Sequence, residues 1–467
     1  MNYTNRLAAL GAAIPELLIP KTDLSKWAVI ACDQGTQDRP YWEQVRAVVG
    51  DAPSSLHVIF PEVYLDDPGR EERIAAIKHT MKRYMEEDVF APPQKALVYV
   101  ERDTPFHQSQ KGLIIALDLE AYDWKTTGKA LHPPLIRPTE GTLPERLPAR
   151  MDVRRDAPLE TPHMIVLIDD EENTVIPTLG ERAKKNTGSI LYDTELMLGS
   201  GRVRGWKLDR EDDWNYLTER LEKLIGKIYG ELTRKADESA GTPFLYAMGD
   251  GNHSLAAAKE IWDEYKAAHK NKPNLMNHPA RWALVELVNL YDPALAFEPI
   301  HRLLFGITPD DVLEAFGELP GYHCRTLDSP DELISLIQDE QCNNLRLGVI
   351  SQGHYLLVEA EPVSIAIDAV QPLLDKLIDK YNKQNTRISI DYIHGSDNLC
   401  QLSNGKRLSN GKQLSNGETV TGILLPPFRK HGLFETIARR GSLPQKSFSL
   451  GESAEKRFYL ECRKLFC

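Results

Sequence analysis

The chain has 467 residues, 42% hydrophobic and 27% charged, and its 56 basic against 68 acidic side chains give a net charge of −12. That length and apolar content provide for a core and two or three domains, and they exclude disorder as the main state. The acidic balance excludes a nucleic-acid or anionic-lipid coat, and no run approaches the roughly 18 apolar residues of a membrane helix, so neither nucleic acid nor membrane is an expected partner.

Residues 7–20 are apolar, but Glu16 and two prolines interrupt them, so no signal peptide is expected. Apolar, β-rich runs predict strands at 27–32, 56–60, 96–101, 112–117 and 163–168, and amphipathic patterns predict helices at 41–49, 71–85 and 214–231. Residues 131–162 carry seven prolines and no period, which reads as a long loop, functional or disordered. A second body begins near 241, with strands expected at 244–248, 345–351, 354–359 and 388–393 and a soft subdomain boundary at 300–340. The fold class is therefore α/β, with α+β open, as mixed sheets with flanking helices. The expected domains are 1–240, including the Arg/Pro-rich loop, and 241–467. Three tandem hexads at 401–418 (QLSNGK, RLSNGK, QLSNGE) read as an exposed, inserted hairpin loop, since each Asn-Gly favours a tight turn. Ser449-x-x-Glu452 has a capping-box pattern that predicts a helix through Arg463. The six cysteines, at 32, 324, 342, 400, 462 and 467, form no C-x-x-C pair, which fits a reducing cytoplasm.

The sharpest chemical signal is residues 246–259, YAMGDGNHSLAAAK: an apolar strand, a glycine-punctuated turn, then an alanine-rich helix. A helix N-terminus offers backbone N–H groups and positive dipole to an anion such as phosphate, so Gly249, Gly251, Asn252 and Ser254 are candidate phosphate-binding residues. Asp250 can act as a base or hold a divalent cation, and His253 can neutralise developing negative charge. The plainer alternative is that Asp250 or Asn252 caps the helix and His253 makes a structural bond. In the proline-rich stretch, Arg146, Arg150 and Arg154 have helical spacing, although Pro144 and Pro148 speak against a regular helix. Arginine forks suit phosphate or carboxylate, or they pair with Glu140, Glu145 and Glu160. Asp33 closes an expected strand, and Asp169 with Asp170 closes another as a possible magnesium pair or an acidic turn. The Gly199–Gly205 spacing does not match a dinucleotide fingerprint, and no P-loop pattern occurs.

Taken together, residues 27–34, 61–65, 136–142, 162–170, 249–255, 297–302, 391–395 and 443–452 resemble the bacterial domain-of-unknown-function-1015 family, in particular its clostridial-type branch. The hexads lie outside that pattern, and Gln445 stands where the pattern has arginine. The resemblance implies a ParB/sulfiredoxin-like element around 241–270, similar to the Asp-Gly-x-His box of free-serine kinases, with Ser254 where such boxes carry arginine. It thus implies a cytoplasmic phosphotransferase on a small-molecule alcohol, foremost L-serine, with pyrophosphate or a nucleotide as donor and Mg2+ as cofactor. Asp250, His253 and Asp33 are then the catalytic candidates. Gly249, Gly251, Asn252, Ser254, Arg137, Glu140, Arg146, Arg150 and His163 would bind phosphate or substrate, and Asp169 and Asp170 metal. A non-catalytic sensor of an anionic metabolite, or a phosphoester hydrolase, would use the same cradle. Nothing in the pattern fixes an oligomeric state.

Overall fold

A computed structural model describes residues 2–125, 134–234, 243–384, 388–405, 419–452 and 455–466. It is a mixed α/β protein, as the alternating patterns predict. Two compact units emerge: Met1–Leu295 with Ala438–Ser442 and Leu450–Cys467, and Ala296–Ile437 with Leu443–Ser449. The expected division at 240/241 falls outside the described residues. The units instead divide at Leu295/Ala296, because strands Tyr246–Asp250 and Trp282–Asn289 are built into the first sheet.

In that sheet, Ile136–Arg137 runs parallel to Tyr246–Asp250, which is antiparallel to Ile165–Ile168, itself parallel to Trp282–Asn289. Antiparallel strands Gln110–Asp118, Leu97–Asp103, Arg202–Leu208 and Ile190–Glu195 follow. Trp282–Asn289 is buried from Ala283 onward, as a central strand covered on both faces must be. Helix Asn252–Ala268 turns Leu255, Ala256, Ala258 and Trp262 into the core. In the second unit the antiparallel order is His323–Leu327, His354–Ala360, Leu345–Ser351, Val420–Leu424, Phe297–Phe305 and Ser389–His394. Helices Pro330–Ile337 and Ser396–Ser403 add Leu333, Leu399 and Leu402 to its core. Among the described residues, no helix is long and apolar enough to cross a membrane.

Four expectations are corrected. Residues 27–32 are not a strand of the sheet: helix Leu24–Trp27, capped by Asp23, leads into an irregular buried run. Likewise 56–60 begins as the 3-10 turn Ser55–His57. Apolar content there reflects burial without a ladder. In the proline-rich stretch a helix does form, Leu147–Arg154, because Pro148 occupies its first turn, where the missing N–H costs nothing. Finally, residues 456–466 form no helix: they run as an irregular segment that ends in the short strand Arg463–Lys464. Positions 455–463 are buried without a break, with Ala31 N–H and Val29 C=O bonded to the segment at 2.9 and 2.8 Å and Arg463–Lys464 paired to Leu159–Glu160. A helix with a solvent face cannot bury nine consecutive residues.

The hexad loop is partly corrected as well. Residues 401–403 complete helix Ser396–Ser403, Leu402 and Ser403 are buried, and Asn404 Oδ1 accepts from Gly353 N–H at 2.7 Å. Residues 406–418, with the remaining expected turns, lie outside the described residues.

Candidate functional site

The end of strand Tyr246–Asp250 and the turn after it need their glycines for packing. Gly251 has φ +84°, and a Cβ there would lie 2.9 Å from Met164 Cγ. A Cβ on Gly249 would lie 2.8 Å from Leu450 Cδ1. Both oxygens of Asp250 are engaged: Oδ1 accepts from Gly251 N–H at 2.9 Å, and Oδ2 is 3.3 Å from the buried Lys456 ammonium. His253 Nε2 accepts from Leu143 N–H at 3.2 Å, tying the proline-rich stretch to the helix start. Asn252 Oδ1 is buried and has no hydrogen-bond partner among the described residues.

Beside this turn lies a polar cluster centred on His163, just ahead of strand Ile165–Ile168. Its Nε2 is 3.1 Å from Ser254 Oγ and 3.9 Å from Asp33 Oδ2. Its Nδ1 is 2.8 Å from the Tyr459 hydroxyl, which also accepts from Cys32 N–H at 3.2 Å. With that acceptance made, the tyrosine proton is assigned to Nδ1, leaving Nε2–H to face Ser254 and Asp33. Burial pushes the His163 pKa below its ordinary value, against the pull of Asp33 and Asp250, so the ring is neutral at neutral pH. Burial also opposes ionisation of Asp33. Even so, His163, the Gln34 hydrogen bond, Arg150 and Lys456 hold its carboxyl below the usual range. With His163 neutral, the Gln34 hydrogen bond and the cations Arg150 and Lys456 are what favour the carboxylate form of Asp33. Burial, with Asp33 and Glu62 nearby, pushes the Cys32 thiol up to about 12, so it is no nucleophile at neutral pH. Arg150, on helix Leu147–Arg154, pairs with Glu62, whose N–H donates to Cys32 C=O at 2.8 Å. Cys32, Glu62, Arg150, His163, Ser254 and Tyr459 all line one cavity.

The structure therefore brings Asp33, Arg150, His163 and Ser254 together, with Asp250 joined to Lys456 close by. The others stand further out in role. Arg137 pairs beside Ala247 in the sheet and lays its guanidinium 5.0 Å from the Phe244 ring. Glu140 follows that strand, half-buried. Arg146 is exposed and offers its C=O to Arg150 at 2.9 Å. Asp169 and Asp170 sit past the far end of strand Ile165–Ile168 from His163. Asp170 accepts from Val175 N–H at 2.8 Å and Thr174 Oγ–H at 3.1 Å, and Asp169 accepts from Tyr291 O–H at 2.7 Å, the bonding of an acidic turn. Among the described residues, no three or more His, Cys, Asp and Glu side chains gather as a metal site. Sequence reasoning missed Lys456 and Tyr459, which sit in the segment read as a capped helix. The signal available was the compact Phe458-Tyr-Leu-Glu-Cys462 run, which has strand composition.

No curated protein matches the sequence. Among solved structures, one described as free serine kinase in complex with AMP aligns at 9% identity and TM-score 0.35, covering 77% of this chain and 94% of that one. SbnI with C-terminal truncation from Staphylococcus aureus aligns at 9% identity and TM-score 0.32, covering 74% and 85%. A conserved hypothetical protein from Pyrococcus furiosus aligns at 9% and 0.32, covering 75% and 94%. Likeness this distant carries nothing about activity. The sequence match is of another kind, extending over residues 15–392, and by it the chain belongs to the family described as Protein of unknown function (DUF1015).

Proposed function

We propose that this protein is a small-molecule phosphotransferase that phosphorylates an alcohol, with free L-serine as the leading acceptor and pyrophosphate or a nucleotide as donor. One observation carries the reading: a largely buried carboxylate, Asp33, shares a cluster with Ser254 in the first turn of helix Asn252–Ala268, through His163. A base and a helix N-terminus suited to phosphate thus sit side by side. Phosphoryl transfer asks for little beyond such positioning and charge neutralisation.

In this reading Asp33 accepts the acceptor hydroxyl proton, and His163 Nε2–H and Ser254 orient that hydroxyl. Lys456 and Arg150 offset the phosphate charge, while Asp250 and Glu62 hold those two cations in place. His253, with Nε2 already accepting, serves the scaffold. Magnesium arriving with the donor phosphates would need only one or two protein carboxylates and would add further charge neutralisation. The test is purified protein with L-serine, magnesium and, in turn, pyrophosphate, ATP and ADP. Phosphoserine with one donor supports the reading, and its absence with all of them removes it.

A further inference from the structure

The cavity beneath the His163 cluster is mostly apolar, walled by Val58, Phe60, Leu65, Met81, Val153 and Leu159. At about 130 Å³ it is close to the roughly 150 Å³ at which an apolar protein cavity holds a benzene ring. L-serine, with a single CH2, leaves such a wall unused.

Arg154 and Glu160 also line this cavity. Glu160 is 4% exposed and is shared by two guanidiniums, Arg154 Nη1 at 2.6 Å and Arg463 Nε. Arg463 spends its remaining donors on the carbonyls of Pro279 and Trp282. Arg154 does not: its Nε and Nη2 are buried and have no hydrogen-bond partner among the described residues. One carboxylate thus faces two fixed cations, and the unmatched positive charge and the unused N–H groups belong to the same side chain. Leaving buried donors of a charged group unsatisfied is costly, and a planar fork is matched by a carboxylate.

We infer that this cavity binds a small carboxylic acid with an apolar segment, its carboxylate on the Arg154 fork and its hydrocarbon against the apolar wall. The inference rests on the phosphotransferase reading for one point, that this ligand is the acceptor; L-serine is then a short member of a class of hydroxy acids.

Calorimetry on the full chain tests it with hexanoate, hexanol, hexylamine and acetate. Hexanoate is expected to bind at least about tenfold more tightly than hexanol or hexylamine, because only it satisfies the fork. It should also outbind acetate, since each buried CH2 contributes about 0.8 kcal/mol, or roughly fourfold. Arg154→Lys keeps a cation for Glu160 but loses the fork, and should weaken hexanoate about tenfold with the melting temperature held. Val153→Phe narrows the wall and leaves Arg154 in place, and should lose hexanoate while acetate is unaffected. Equal binding of hexanol and hexanoate, no binding of any probe, or unchanged hexanoate affinity in folded Arg154→Lys would each overturn the inference. Phosphoserine formation is read separately: hexanoate bound on Arg154 in a protein that never phosphorylates serine leaves the site standing and removes only the kinase reading.

Discussion

Arg457→Met removes the guanidinium on which the C-terminal segment is threaded. Arg457 is 3% exposed and bonds Glu286 through Nη1, Glu461 through Nη2 and Pro162 C=O through Nε at 3.2 Å. Glu286 and Glu461 are themselves buried, so the substitution strands two carboxylates, although Glu461 keeps the Tyr192 hydroxyl as a donor. Breaking a buried pair from one side costs about 3–5 kcal/mol. For a unit of roughly 300 residues, unfolding entropy near 2.1 cal/mol/K per residue makes 1 kcal/mol worth about 1.6 °C, so the melting temperature should fall by about 5–8 °C. Scanning calorimetry reads this, and adding Glu286→Gln to the variant should recover part of the loss. A drop of less than about 1 °C would refute the reasoning, since it would mean that the three charges are solvated rather than mutually buried.

Two further predictions concern other parts of the chain. Gly251→Ala forces a Cβ into left-handed backbone against Met164, so it should cost at least about 1–2 kcal/mol and lower the melting temperature by about 2–3 °C, measured in the same instrument. In the second unit, burial lowers the His301 pKa to about 4, and its Nδ1 accepts from Leu425 N–H at 3.1 Å. The unfolded chain takes up that proton near pH 6.5 and the folded one only near 4, so stability is complete above about pH 6.5 and declines as pH falls towards 4, by about 3 kcal/mol. His301→Asn, which can still accept from Leu425, should flatten that slope, and equal slopes for both proteins would contradict the assignment.

What the sequence disclosed followed local pattern. The strand, glycine turn and alanine-rich helix at 246–259 were readable because each residue type serves its own neighbourhood: Gly251 for its positive φ, Ala256–Ala258 for close packing. Family membership was readable for the same reason, through ordered short motifs. Partners distant in the chain were not readable. Trp27 Nε1–H donates to Leu460 C=O, and Tyr459 reaches His163 and Cys32, bonds that span some 300 to 430 residues. Without them, residues 27–32 look like a sheet strand and 449–463 like a capped helix. Pro148 misled in a different way, because a proline stops a helix only beyond its first turn. At the site, Asp33, Arg150, His163 and Ser254 were nameable, but Lys456 and Tyr459 were not, since their importance comes from the place to which the buried C-terminal segment delivers them.

The most direct test of the central claim is the rate of phosphoserine formation by Asp33→Asn beside the wild type, with donor affinity and melting temperature measured on the same preparations. Asparagine keeps an oxygen for the Gln34 donor but cannot take a proton or answer the charges of Lys456 and Arg150. Turnover should fall by about a hundredfold or more, with the fold intact and the donor still bound. An Asp33→Asn protein that makes phosphoserine at the wild-type rate would contradict the claim.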